Sequence, residues 1–367
     1  MSYLELHGVA KRFGRETVLE GLDLAVEQGE RLVVFGPSGS GKTVMLRLIA
    51  GLNDVDEGTI RIGDREVTFE APERRGLGMA FQNFALYPHM SAFDNIASPL
   101  RARGESMTEI RRRVTEVADL LKIGHVLEHQ PKALSNGQKQ RTSLARALAP
   151  KPPLLLLDDP LRNVDAKLRY EMRLELPRVL RQAAATVLYV TQDYKEAMAL
   201  GDRVAVLDRH RVSQIDVPDT IYARPATPAI ARLFGDPTIN ILERRLEGGR
   251  FDLFGQDLDI PGAGSGERLL GIRPEHIEVS MEPSAGSIPV VLDAVTPLNV
   301  RAVLLLKTRD GHELLASCSE EEAARFPRGH KDVHATIDPA RIHLFDPGSG
   351  RRLDASGQRL DGGAEHG

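Results

Sequence analysis

The tightest constraint on this chain is one short stretch. Gly36-Pro37-Ser38-Gly39-Ser40-Gly41-Lys42-Thr43 fits the pattern G-x-x-x-x-G-K-[ST] without exception. The pattern carries meaning only between a strand and a helix, and both are legible here. Arg31 to Phe35 (RLVVF) is a short apolar run, and Lys42 to Ala50 has helical spacing of its apolar residues. Glycines let the backbone curl so that successive N–H groups point at phosphate oxygens, and the helix N-terminus adds partial positive charge. Lys42 would reach the β- and γ-phosphates, and the Thr43 hydroxyl would ligate Mg²⁺. The expected ligand is therefore ATP with Mg²⁺, held by Gly36, Pro37, Ser38, Gly39, Ser40, Gly41, Lys42 and Thr43.

A strand that feeds such a loop belongs to a parallel sheet buried on both faces. Three more apolar runs suit that sheet: Leu154-Leu155-Leu156-Leu157, Thr186 to Val190 (TVLYV) and Val204 to Leu207. The first leads into Asp158. A carboxylate there emerges at the C-terminal edge of the sheet, beside the phosphate loop, where it can hold Mg²⁺ directly or through water.

Other regions have other rhythms. The first residues alternate like strands, with Leu4, Leu6 and Val9, then Val18, Leu22, Leu24 and Val26. From about Ala92 to Ala149 the spacing is helical, and another helix is expected from Asp165 to about Arg181. Past Gly235, short β-like runs are split by turns such as GAGSG and RDGH, which predicts a small all-β domain. The expected partition is residues 1–236, 237–347 and a disordered tail over 348–367 that is rich in Gly, Arg and Asp.

The 367 residues carry a net charge of −4, which gives no general attraction to nucleic acid. A single cysteine, Cys318, excludes an internal disulfide framework and reads as a small apolar filler. The start, MSYLELHGVA, lacks the basic and apolar segments of a signal peptide, and no apolar run approaches the roughly 20 residues that span a bilayer. Any membrane role is expected to be peripheral.

Leu134-Ser135-Asn136-Gly137-Gln138-Lys139-Gln140-Arg141 resembles the signature motif of ATP-binding cassettes, LSGGQ-x-QR. With that resemblance come several roles. Phe13, in Lys11-Arg12-Phe13-Gly14, sits where the family stacks a ring on adenine. Gln82 resembles the Q-loop glutamine, which contacts Mg²⁺ or the attacking water. Leu161 to Arg169 (LRNVDAKLR) resembles the D-loop, with Asp165 at its acidic position. The family forms head-to-tail dimers, so Ser135, Gly137 and Gln138 of one chain would face the nucleotide on the other.

FQNFALYPHM (81–90), FGDPTIN (234–240) and GIRPEHI (271–277) are similar to the maltose and glycerol-3-phosphate importer ATPases. The resemblance implies an α/β fold: a RecA-like P-loop core with an antiparallel β subdomain and a helical insertion over about 92–150, then a small OB- or TOBE-like regulatory domain. It implies an ATPase coupled to bacterial import of a carbohydrate, polyol or glycerol-phosphate-like solute. The implied partners are a second cassette, two transmembrane permease subunits and an extracytoplasmic solute-binding protein, with no nucleic acid. The implied place is the cytoplasmic face of the cell membrane.

Three residues depart from the family pattern. Asp159 stands where the general base is usually Glu, Gln192 where the switch residue is usually His, and Asn136 where the signature has Gly. The shorter Asp159 draws its carboxylate back from the attacking water. Gln192 can hydrogen-bond a γ-phosphate but cannot shuttle a proton as imidazole does. Either these changes are tolerated, or this chain's own site is weak and it pairs with a different, competent cassette. A soluble cassette of DNA repair or translation fits less well, because no sustained heptads separate Thr43 from Leu134 and there is one phosphate loop. A non-catalytic nucleotide sensor is the remaining alternative.

Overall fold

The computed structural model describes residues 1–326, 329 and 331–354, which divide into two compact units, Met1–Asp219 and a second from Thr220 onward. The first unit holds, in chain order, β1 (Ser2–Phe13), β2 (Glu16–Glu27), β3 (Arg31–Phe35), α1 (Lys42–Ala50), β4 (Glu57–Ile62), β5 (Arg65–Glu66) and β6 (Leu77–Ala80). Then come α2 (Ala92–Ala102), α3 (Met107–Leu120), α4 (Asn136–Leu148), β7 (Leu154–Asp158), α5 (Ala166–Ala183), β8 (Thr186–Thr191), α6 (Tyr194–Leu200), β9 (Arg203–Asp208) and β10 (Arg211–Asp216).

Two sheets result. One is antiparallel, ordered β2-β1-β4-β5, and the other is ordered β10-β9-β3-β8-β7-β6. In the second, β9, β3, β8, β7 and β6 run parallel and only the edge strand β10 is antiparallel. Every residue of β7 and β8 is buried, which explains their unbroken apolar runs. Each fully buried leucine of β7 stabilises the fold by roughly 2 kcal/mol relative to an exposed one. Helix α1 lies in the core between the sheets, and its Met45, Leu46, Leu48 and Ile49 pack with Leu4 and Leu6 of β1 and with Leu156 and Leu188.

The register sets the site. Phe35 pairs with Thr191, and Asp158 with Val190, so β3, β8 and β7 end side by side at one sheet edge. The helical insertion is α2, α3 and α4, which contact one another and bury Ile96, Leu100, Val114 and Leu144. Ser91 caps α2 and Ser106 caps α3, each accepting from a backbone N–H three residues on.

The second unit is β-rich. One sheet joins Asn240–Leu246, Gly266–Ile272, His343–Phe345 and Arg352–Leu353. Another joins Ile277–Ser280, Lys331–Ile337, Ile288–Leu298, Arg301–Lys307 and Glu313–Ser319. Strict alternation buries Ala302, Leu304 and Leu306 of the strand Arg301–Lys307. Cys318 is half-buried against this core, as a filler would be.

Two expected boundaries shift. The division falls after Asp219 rather than after residue 236, because the second unit claims the intervening segment. The buried Arg273 guanidinium donates to the carbonyls of Phe234 and Tyr222, both at 2.6 Å, and lies 3.6 Å over the Tyr222 ring. Part of the segment expected as a tail, 348–367, is structured. Arg352–Leu353 pairs with the strand His343–Phe345, and the Arg352 N–H donates to the Ala226 carbonyl at 2.9 Å. The remainder of that segment, 355–367, lies outside the described residues. Among the described residues no helix is long and apolar enough to cross a membrane.

Candidate active site

The phosphate loop leaves β3 through a glycine that nothing larger could replace. A Cβ on Gly36 would lie 2.3 Å from the Leu207 carbonyl oxygen. Gly41 has a φ of 99°, and a Cβ there would lie 2.8 Å from the Val18 carbonyl oxygen. The loop closes on Lys42, whose Nζ donates to the carbonyls of Gly36 (2.8 Å) and Pro37 (2.7 Å) and to Ser40 Oγ (3.2 Å). Burial lowers the pKa of Lys42, and the Asp159 and Asp158 carboxylates oppose that shift. No side chain caps the N-terminus of α1, so its first N–H groups are available to an anion.

Thr43 Oγ1 donates to Asp158 Oδ1 at 2.9 Å, across 115 residues of sequence. Burial raises the Asp158 pKa, with the Thr43 hydrogen bond opposing. A hydroxyl and a carboxylate oxygen in contact are the hard ligands that Mg²⁺ takes from protein, leaving its other positions to phosphate and water. The donor set fits the ion. Gln82 lines the same cleft, and its carbonyl accepts from Asn163 Nδ2 at 2.9 Å.

Asp159 follows in the left-handed region, with φ of 42°, at a cost of about 1–2 kcal/mol. Its N–H donates to the Val190 carbonyl at 3.0 Å, which helps to hold the turn. Burial pushes its carboxyl up to about 6, against the pull of the Arg162 guanidinium. Arg162 Nη1 stands 3.8 Å from Asp159 Oδ2. Gln192, next after β8, brings one end of its amide to 3.2 Å from both Nε and Nη1 of Arg162, and because a guanidinium only donates, that end is assigned as the oxygen. Behind this edge Glu196 is buried. It accepts from Tyr189 Oη (2.7 Å) and Thr191 Oγ1 (2.9 Å), and burial pushes its pKa up to about 7.

These groups share one cleft of about 190 Å³. Ser38, Gly39, Gly41, Lys42, Thr43, Gln82, Asp158, Asp159 and Gln192 line it as the sequence suggested. Arg162, which motif reading missed, lines it too. Its sequence signal was its place in the D-loop stretch Leu161 to Arg169, three residues after Asp159, where no role was given to it.

The family description "ABC transporter" matches residues 19–162, and "TOBE domain" matches residues 270–345. The sn-glycerol-3-phosphate import ATP-binding protein UgpC of Paracoccus denitrificans is 39% identical over 361 residues, covering 96% of this chain and 100% of that protein. UgpC of Yersinia pseudotuberculosis is 40% identical over 362 residues, with the same coverage. A solved ATP-binding cassette, in a dimeric post-hydrolysis state bound to ADP and Pi, is 31% identical with a TM-score of 0.54. It covers 59% of this chain and 98% of its own. The chain belongs to the ABC transporter ATPases.

A single copy of this cassette assembles only part of the motif set. Ser135 and Gln138 form a capping box at the start of α4: Ser135 Oγ accepts from the Gln138 N–H (3.3 Å), and Gln138 Oε1 from the Ser135 N–H (2.9 Å). Gly137 packs under Leu168, and a Cβ there would overlap that side chain at 2.0 Å. Asn136 is exposed in the first turn of α4 with ordinary helical backbone. Asp165 caps α5 by accepting from the Leu168 N–H at 3.0 Å. Phe13 is exposed at the end of β1, with Lys11 Nζ 5.4 Å over its ring. None of these five motif residues (Phe13, Ser135, Gly137, Gln138 and Asp165) lines the cleft within one chain.

The segment after Gln82 is held rather than loose. Phe84 and Ala85 have positive φ, and their carbonyls accept from Ser143 and Arg146 of α4 at 2.7–3.2 Å. Beside it, a groove of about 570 Å³ is lined by Phe81, Tyr87, Arg103 and Arg146 among others.

Proposed function

We propose that this chain is the ATP-hydrolysing subunit of a bacterial importer for sn-glycerol-3-phosphate or a related polyol or carbohydrate. Solute class rests on relatives named for glycerol-3-phosphate import that match over their full length. The observation that carries the chemistry is the Lys42, Thr43–Asp158 and Asp159 arrangement around one cleft.

In this reading the loop N–H groups and Lys42 grip the β- and γ-phosphates, while Thr43, Gln82 and Asp158 hold Mg²⁺. That ion neutralises charge on the phosphates. Asp159 takes a proton from the attacking water, and the Gln192 amide donates to a γ-phosphate oxygen. Ser135, Gly137 and Gln138 of a second cassette close the site from the other side, with the α4 N-terminus aimed at the anion. Phe13 stacks on adenine, and Asp165 lies at the dimer interface.

Two permease subunits and an extracytoplasmic solute-binding protein complete the assembly, at the cytoplasmic face of the membrane. The groove beside Phe81 and Tyr87 takes a helix of the permease, and Gln82 links that contact to the nucleotide. Reconstituted in liposomes with these partners, the transporter is expected to hydrolyse ATP faster when the binding protein carries glycerol-3-phosphate. Stimulation by maltose alone would move the solute class.

A second reading rests on Asp159 and Gln192 occurring together. The chain's own site then turns over slowly, and it pairs with a different cassette whose site it completes. A purified transporter with two copies of this chain, no other cassette and full ATPase activity removes that reading.

A further inference from the structure

We propose that Arg162 is a positioning residue: its guanidinium fixes the Gln192 amide so that the NH₂ group, and not the carbonyl oxygen, is presented to the terminal phosphate. The inference rests on the ATP reading above and adds a residue to it.

An amide is two-faced. Its oxygen only accepts and its nitrogen only donates, and the two ends are nearly equal in shape. A phosphate oxygen can use the donor end alone. Without a partner, Gln192 would present the wrong end in a share of molecules, and the oxygen would repel the phosphate. Arg162 removes that ambiguity. Its Nε and Nη1 each lie 3.2 Å from the same end of the Gln192 amide, and two donors converging there require that end to be the oxygen. The same guanidinium lies 3.8 Å from Asp159 and shares the cleft with Lys42. It restores a fixed positive charge beside a switch position that carries a neutral amide. Its position is set by the turn that follows Asp159, since the Arg162 N–H donates to the Asp159 carbonyl at 3.2 Å.

The test is equilibrium binding of AMP-PNP and of ADP, both with Mg²⁺, to the purified full-length chain. The variants are Arg162→Ala, Arg162→Lys, Gln192→Ala and the Arg162→Ala/Gln192→Ala double. Arg162→Ala is expected to weaken AMP-PNP roughly tenfold while leaving ADP within about twofold. Arg162→Lys keeps the charge and loses the fork, so a triphosphate-selective loss of roughly threefold is expected; it carries the test should the alanine variant fold poorly. In the Gln192→Ala background, Arg162→Ala is expected to change AMP-PNP binding by less than about twofold. Equal weakening of both nucleotides, or an undiminished loss without Gln192, overturns the proposal. If the unaltered chain binds neither nucleotide, the ATP reading falls and this proposal with it; if it binds both and only the variant pattern fails, the ATP reading stands.

Discussion

The cleft has two sides built on different principles. The gripping side, residues 36–43 with Asp158, is mostly backbone and interlocked short side chains. Its lysine makes three hydrogen bonds within the loop, and its threonine bonds the aspartate at 2.9 Å. The reacting side, Asp159 with Arg162 and Gln192, consists of side chains poised on turns, with one residue in left-handed backbone. The gripping side matches its family pattern at every position, whereas the reacting side departs at both the base and the switch. A backbone cradle leaves little freedom to vary, since Gly36 and Gly41 have no room for a Cβ and Gly39 holds a φ of 82°. Side chains on turns can be exchanged as a set, provided that their hydrogen bonds are re-formed.

Breaking the gripping side should have the largest effect. Lys42→Ala is expected to lower ATPase activity by about 10²–10³-fold, measured as phosphate release. Next comes the support behind the reacting side. Glu196 is pushed up to about 7 from an ordinary 4.5, so the folded chain holds this proton more tightly than the unfolded one. This group's contribution therefore falls as pH rises from about 4.5 to about 7, by up to roughly 3 kcal/mol. Glu196→Gln should flatten that part of the stability profile, read from urea midpoints at pH 5 and pH 8. Unchanged pH dependence in the variant would show that burial of Glu196 does not carry the effect.

A purely steric break of the cradle is smaller. Gly36→Ala sets a methyl against the Leu207 carbonyl and is expected to cost about 2–3 kcal/mol, seen as a lowered melting temperature. The smallest effect sharpens the contrast instead of breaking it. Asp159→Glu returns the longer carboxylate and is expected to raise kcat roughly tenfold with little change in nucleotide affinity. No gain, or a loss, would mean that Arg162 and Gln192 are matched to the shorter acid.

These unequal sides also explain what could be read from residues alone. The phosphate loop and the strands β3, β7 and β8 were legible, because each is specified by a short window: a run of apolar residues, then glycines at fixed places. Asp158 was legible because it ends such a run. Arg162 was not, since its importance comes from meeting Gln192 across a turn and a strand, which no local pattern records. Asn163 was missed for the same reason, although its amide ties the D-loop to the Gln82 carbonyl. The unit boundary was misplaced because residues 220–236 are continuous in sequence with the cassette, yet Tyr222 and Phe234 are captured by Arg273 from much later in the chain. Long-range capture by a single buried guanidinium leaves no periodic trace.

Helix α4 has a consequence of a mechanical kind. Ser135 caps its start, and its last turn carries Arg146, which with Ser143 holds the Phe84 and Ala85 carbonyls. Its 13 residues make a strut about 20 Å long. A small tilt at one end becomes a displacement at the other, with no relay of side-chain rearrangements needed between them. The stiffness of that strut then sets the gearing, and softening its middle would blur the stroke while leaving both ends chemically intact.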